Sequence, residues 1–204
     1  MDRQEKTLGA AERDEVARQA WRDAVATWEP DEVVVVDETG ANVAMTPGYA
    51  RAPRNARAYD RVPFNKGANI TTLAALTTDG LRAAMTVEGA ADTPVVEAFM
   101  RECVVPLLRP GQKVVLDNVR PHKGDGLRQL VEAAGCQLHF LPAYSPDLSP
   151  IEEAFATFQA ALRRAKARTA AAVQQAVGPA LDAITPQDAR HFFTHCGYGT
   201  ATLP

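Results

Sequence analysis

Glu32 to Gly40 reads EVVVVDETG, four consecutive valines closed by two acids. A short β-branched run bounded by polar residues is how a strand buried on both faces looks, since its alternate side chains point to opposite sides and all of them avoid water. Such a strand sits at the centre of a sheet covered by helices on both faces. It delivers Asp37 and Glu38 to its C-terminal end. A second run of the same kind, QKVVLDN from Gln112 to Asn118, ends on Asp117.

Working outward, residues 1–30 predict a helical segment, with Ala17, Ala20, Trp21, Ala24, Val25 and Trp28 recurring at helical spacing among charges. Beyond the valines, NVAMTPGYARA (Asn42–Ala52) is compatible with a neighbouring strand, and RAPRNARAYDRVPFNKG is loop-like and the most basic stretch of the chain. It carries Arg51, Arg54, Arg57, Arg61 and Lys66 against Asp60 alone. Two β-type runs flank Asp79-Gly80, a hairpin signal. From Thr93 the pattern predicts a helix with Thr93 as N-cap, Pro94 at its first position and a buried stripe of Val96, Phe99, Met100, Cys103, Val104 and Leu107. GDGLRQLVEAAGC predicts a helix capped by Asp125 and ended by Gly135, and QLHFLP a strand. From Pro150 onward the chain reads as helical, with breaks at Gly178-Pro179 and Thr185-Pro186. A hairpin half followed by a right-handed strand–helix–strand half makes an α/β fold with a mixed five-stranded sheet.

The 204 residues suit one good-sized core, and 46% hydrophobic with 23% charged residues is ordinary for a globular domain. No window reaches the apolar length of a membrane span, and the first twenty residues are too polar for a signal peptide, so the expected location is the cytoplasm. Cys103, Cys136 and Cys196 are odd in number and widely spaced, as reduced thiols are. A net charge of −3 leaves any nucleic-acid binding to local basic patches.

Acids at the ends of two central strands face the crevice in which open α/β sheets bind ligands. Neighbouring strands lie about 5 Å apart, close enough for Asp37 and Asp117 to share a cation. An aspartate after a strand equally starts a turn. A third acid comes from LPAYSPDLSPIEEAF, Leu141 to Phe155. Here Ser149-Pro150-Ile151-Glu152 has capping-box spacing, with Ser149 as N-cap and Glu152 reaching back to its amide. At about 100° per residue, Ile151, Phe155, Phe158 and Leu162 share a buried face, Glu152 lies at its border and Glu153 points to solvent. If one glutamate joins the two aspartates it is Glu152, and the cap and a metal ligand need not compete. Three carboxylates without a His or Cys cluster favour Mg²⁺ or Mn²⁺ over zinc. A pair of such ions about 4 Å apart serves in-line displacement at a phosphodiester, which points to a nucleic-acid backbone as substrate.

VVVVDETG, VVLDNVRPHKG and LHFLPAYSPDLSPIEEAF, in this order, resemble the three catalytic blocks of bacterial transposases of the insertion sequence 630 type, in the mariner superfamily. The resemblance runs from about Asp31 to Tyr198 and includes the closing HFFTHCGY. Thirty-four residues separate Asp117 from Glu152, as in the Asp-Asp-Glu triad of that family. It implies a ribonuclease-H-like catalytic domain over residues 31–198, followed by a tail at 199–204. It also implies Asp37, Asp117 and Glu152 as catalytic ligands of two Mg²⁺ or Mn²⁺ ions. Glu38, Asn118 and His122 match accompanying positions that orient ligands or touch DNA, though His122 reads equally as an exposed loop histidine. Tyr144 and Ser145 would lie near the substrate. The implied partners are double-stranded DNA, as element ends and TA-containing target, and a second copy or a partner chain with a helix-turn-helix. Only about thirty residues precede the first catalytic strand, so end recognition is expected from another chain or absent. Ser149 stands where the family commonly has Asn, and Gln159 where relatives often carry Lys.

The Arg51–Lys66 loop, Lys123, and Arg163 and Arg164 are candidate phosphate contacts, although cations at a helix C-terminus also suit its dipole. His191 and His195 stand four apart beside Cys196 without a further ligand at zinc-site spacing, and Phe192, Phe193 and Cys196 read as core. The expected function is DNA cleavage and strand transfer in a bacterial cytoplasm, at the nucleoid when DNA-bound. The alternatives are a ribonuclease-H-like nuclease that does not join strands and a truncated, non-catalytic DNA-binding regulator.

Overall fold

The computed structural model describes residues 10–118 and 125–200. Five strands form one mixed sheet in the order β3-β2-β1-β4-β5. They are β1 (Val33–Ala41), β2 (Ile70–Thr77), β3 (Gly80–Glu88), β4 (Lys113–Leu116) and β5 (Gln137–Phe140). β2 is antiparallel to β1 and β3, whereas β1, β4 and β5 run parallel.

The valine run is the hinge of this architecture, since Val33 to Val36 are each at most 5% exposed. Val33 and Val35 enter a core with α1 (Glu15–Ala26), α4 (Pro150–Ala165), α5 (Ala170–Leu181) and α6 (Pro186–His195). Val34 and Val36 enter a second core with α2 (Thr93–Phe99) and α3 (Asp125–Ala133). Each buried valine contributes about 1.5–3 kcal/mol of transfer free energy, so both layers depend on the same four residues.

Several local readings change. β1 extends five residues past the valines because β2 pairs with it as far as Ala41↔Ile70, so Asp37 is mid-strand rather than terminal. The parallel ladder with β4 nonetheless stops at Val36↔Leu116, which leaves Asp37 and Asp117 side by side where it opens. Asn42–Ala52 forms no strand; the chain from residue 42 to 69 has no regular structure, and most of it is exposed. The hairpin turn is Thr78-Asp79, with Gly80 as the first residue of β3 at φ +101°, a conformation that suits glycine.

Asp92, not Thr93, caps α2, its Oδ1 accepting from the Val95 N–H. Past Phe99 the helix loosens to a π turn over Met100–Val104 and then tightens over Val105–Leu107, which turns Leu107 outward to 47% exposure. Gly135 ends α3 as expected, in the left-handed conformation. α5 runs through Gly178-Pro179, because a proline in the last turn forfeits only one internal bond. Thr185 and Asp188 do form a capping box at the start of α6.

α1 packs on the main core through Val25, with Trp21 and Trp28 against it, and Trp28 lies edge-on to the buried Tyr198. No helix among the described residues is long and apolar enough to cross a membrane.

Candidate active site

Asp37, Glu38, Asp117, Asn118 and Glu152 line one cleft of about 520 Å³, floored by the turn from Leu141 to Ser149. β1 supplies the first two, the end of β4 the next two, and the first turn of α4 the last. Asp37 is held by a 2.8 Å hydrogen bond from the Glu38 N–H to its Oδ1. Burial, with the nearby carboxylates of Asp117, Glu38 and Glu152, pushes its carboxyl up to about 8 despite that bond. Glu152 opens onto solvent at the mouth of the cleft, yet burial by its neighbours and the Asp117 charge raise its carboxyl too. Like charges crowded in a half-desolvated cleft are what a divalent cation relieves, and an all-oxygen donor set suits a hard ion. The residues therefore fit Mg²⁺ or Mn²⁺.

The capping box expected at α4 is absent. Ser149 is the N-cap by conformation, but its side chain makes no cap bond and its own N–H donates to Pro146 O at 3.0 Å. Its hydroxyl is buried on the cleft wall with no hydrogen-bond partner among the described residues. Glu152 is thus released entirely to the cleft. Glu153 does not point to free solvent: it is half-buried and bonded to His195 Nδ1, because α6 crosses that side of α4.

Tyr144, at φ +55° and exposed, and Ser145, buried with its hydroxyl donating to Ala143 O, lie on the cleft rim and floor. His122 and Lys123 lie outside the described residues. Arg51, Arg54, Arg57, Arg61 and Lys66 are all exposed on the β1–β2 connection, together with Tyr49, Tyr59 and Phe64. That connection is anchored to the end of α4 by Lys166 on Asp60 and by Arg168 on the carbonyls of Val43 and Met45. Arg164 is exposed, whereas Arg163 is half-buried and donates to Gln159. Gln159 in turn donates to Thr39 on β1 at 2.8 Å, so it braces α4 against β1 rather than facing outward.

Sequence reasoning missed a clamp. Arg18 of α1, 2% exposed, grips both oxygens of Asp147 at 3.0 and 2.7 Å, while Arg13 bonds Asp147 and Tyr144 O. The Arg18 hydrogen bond holds the Asp147 carboxyl below the usual range. The N-terminal helix thereby fixes the turn that leads into Glu152. Only a buried arginine, invisible in a polar helix pattern, signals it. Arg18→Ala should cost about 2–3 kcal/mol in urea unfolding, below the usual figure for a broken buried pair because Asp147 is half-exposed. An unchanged midpoint would remove the clamp from the account.

A ribonuclease-H-like sheet with an acidic cleft where its parallel ladder opens is an arrangement suited to divalent-ion chemistry at phosphodiesters. The chain belongs to the DDE superfamily endonucleases, whose family model matches residues 32–174. Among solved structures it is similar to the Mos1 transposase paired-end complex with left transposon end, at a TM-score of 0.74 and 14% identity, covering 97% of this chain and 64% of that one. It is also similar to the Mos1 strand transfer complex (0.73, 13%, 96% and 63%). The isolated Mos1 catalytic domain with raltegravir and Mg matches at 0.68 and 14%, covering 93% and 92%. The chain spans about two-thirds of the longer Mos1 chains and nearly all of the catalytic domain. No curated protein matches it.

Proposed function

We propose that this chain is the catalytic domain of a bacterial DNA transposase, cleaving double-stranded DNA at element ends and joining the freed 3′-hydroxyl to a TA-containing target. The observation that carries the reading is the convergence of Asp37, Asp117 and Glu152 on one cleft of a DDE-family fold. Solved relatives that contain Mg, Mn or transposon-end DNA support it.

Asp37, Asp117 and Glu152 would hold the divalent ions. When bound, such ions supply Lewis-acid activation of the attacking oxygen and charge stabilisation of the leaving one. Asp37, oriented from behind by the Glu38 N–H, presents its carboxylate from the sheet. Glu152 presents its own from the facing helix. Asn118 and Tyr144 stand at the rim where a strand would enter. The exposed Arg51, Arg54, Arg57, Arg61, Lys66 and Arg164 offer phosphate contacts along the approach, so binding should weaken steeply with salt. Pairing with a second copy or with a chain that carries a helix-turn-helix would bring two element ends together, and the complex would act at the nucleoid.

Incubation of the protein with Mn²⁺, end-containing DNA and a TA-bearing target should yield nicks and joined products, and Asp117→Asn should yield neither. Nicks without joining would demote the chain to a nuclease. Equal products from Asp117→Asn would sink the site.

A further inference from the structure

We propose a second metal site, for a zinc-class ion, formed by Glu153, His195 and Cys196 on the side of α4 away from the catalytic cleft. Among the described residues this is the group of His, Cys, Asp and Glu whose ligand atoms all come together, within 4.8 Å of one another.

The donors are a thiol sulfur, an imidazole nitrogen and a carboxylate oxygen, the mixed set that tetrahedral Zn²⁺ takes with water in the fourth position. Ligand bonds of about 2.0–2.3 Å bring such donors to roughly 3–4 Å from one another. The His195 side chain, 78% exposed, can turn towards that geometry by giving up its bond to Glu153. Cys196 contributes from the inside: it is 5% exposed and sits at the C-cap of α6, fixed by its N–H on Phe192 O. His195 leaves the fourth position open to water.

Burial, with the carboxylates of Glu153 and Asp147, pushes the Cys196 thiol up to about 12, so the sulfur stays a protonated thiol until a cation takes the proton's place. On binding, the thiol releases its proton to solvent, the imidazole carries its proton on Nε2, and the ion replaces the Glu153–His195 hydrogen bond. The sequence alone shows only His195 beside Cys196; the missing ligand arrives from α4, 42 residues away. Bound there, the ion staples α6 to the first turn of α4, one residue from Glu152.

The test is Co²⁺ titration of the full chain in excess Mg²⁺. One equivalent should produce a thiolate-to-cobalt charge-transfer band with tetrahedral visible bands, and Zn²⁺ should displace both. Cys196→Ser should abolish the charge-transfer band, and His195→Ala, at an exposed position that folding tolerates, should weaken affinity by at least about tenfold. Glu152→Gln should keep the site, which separates this proposal from the catalytic one. No thiolate band in the unaltered protein, a band that survives Cys196→Ser and so comes from Cys103 or Cys136, or equal affinity in His195→Ala would each overturn it.

Discussion

Glu152→Gln is expected to lower metal-dependent DNA cleavage by at least about 10³-fold, equivalent to ~4 kcal/mol of transition-state stabilisation, while the fold is kept. The change removes one negative charge from the cleft, and from the helix only a first-turn dipole interaction of no more than about 1 kcal/mol. Ser149 makes no side-chain cap bond, so the first turn of α4 does not depend on the Glu152 carboxylate. Removing a charge from beside Asp117 also relieves repulsion, so thermal stability should stay level or rise. Glu153→Gln is the natural control, one residue along. It loses a largely exposed contact with His195, worth no more than about 1 kcal/mol, and should cleave DNA nearly as well as the unaltered protein. Single-turnover cleavage of all three proteins at saturating Mn²⁺ checks the pair. Comparable loss in both variants would mean that the face of α4 has been misassigned.

Asp37→Asn should abolish cleavage too, and its larger signature is in stability. The folded carboxyl titrates at about 8 and the ordinary value is 3.8, so the folded state holds this proton more tightly than the unfolded chain does. The stability that the protonated form confers is complete below about pH 3.8, is lost progressively as pH rises towards 8, and does not fall further above that. At 1.36 kcal/mol per unit, the loss across this window is on the order of 5 kcal/mol in chelator. Asparagine keeps the shape without the charge. At about pH 8.5 with chelator, the variant should therefore be the more stable protein by several kcal/mol, and at about pH 4 the two should nearly coincide. Mg²⁺ should close the gap by stabilising only the protein with the carboxylate. Urea unfolding at both pH values reads this out. Parallel pH profiles would show that the cleft does not strain Asp37.

The same contrast explains what could be read along the chain. The valine run, the second apolar run at Lys113–Leu116 and the Asp-Gly hairpin all carry their meaning within a few residues, because strand burial and turn chemistry are local patterns. The mixed sheet and its two helical layers follow from them, whereas the strand order does not. The cleft acids were legible for the same reason: each lies at a sharp local boundary, Asp37 and Asp117 after apolar runs and Glu152 in the first turn after a proline. Boundaries that depend on a partner were not. β1 is lengthened by β2, and Asn42–Ala52 forms no strand; the neighbours of β1 are β2 and β4, which come from further along the chain.

Side-chain roles around α4 belong to a different order of information. Helical periodicity located the buried face at Ile151, Phe155, Phe158 and Leu162 correctly, but it treats everything off that face as water. Whether a glutamate caps, coordinates or pairs depends on what the rest of the chain brings to it. Here α6 carries His195 to Glu153, β1 offers Thr39 to Gln159, and α1 sends Arg18 to Asp147, across 42, 120 and 129 residues respectively. The acids and the strands that present them are thus written in local pattern. The division of labour between Glu152 and Glu153, and the bracing of the catalytic helix, come from packing, since hydrogen bonds and ion pairs act over a few ångströms and nothing in a local stretch encodes which distant side chain will arrive within that range.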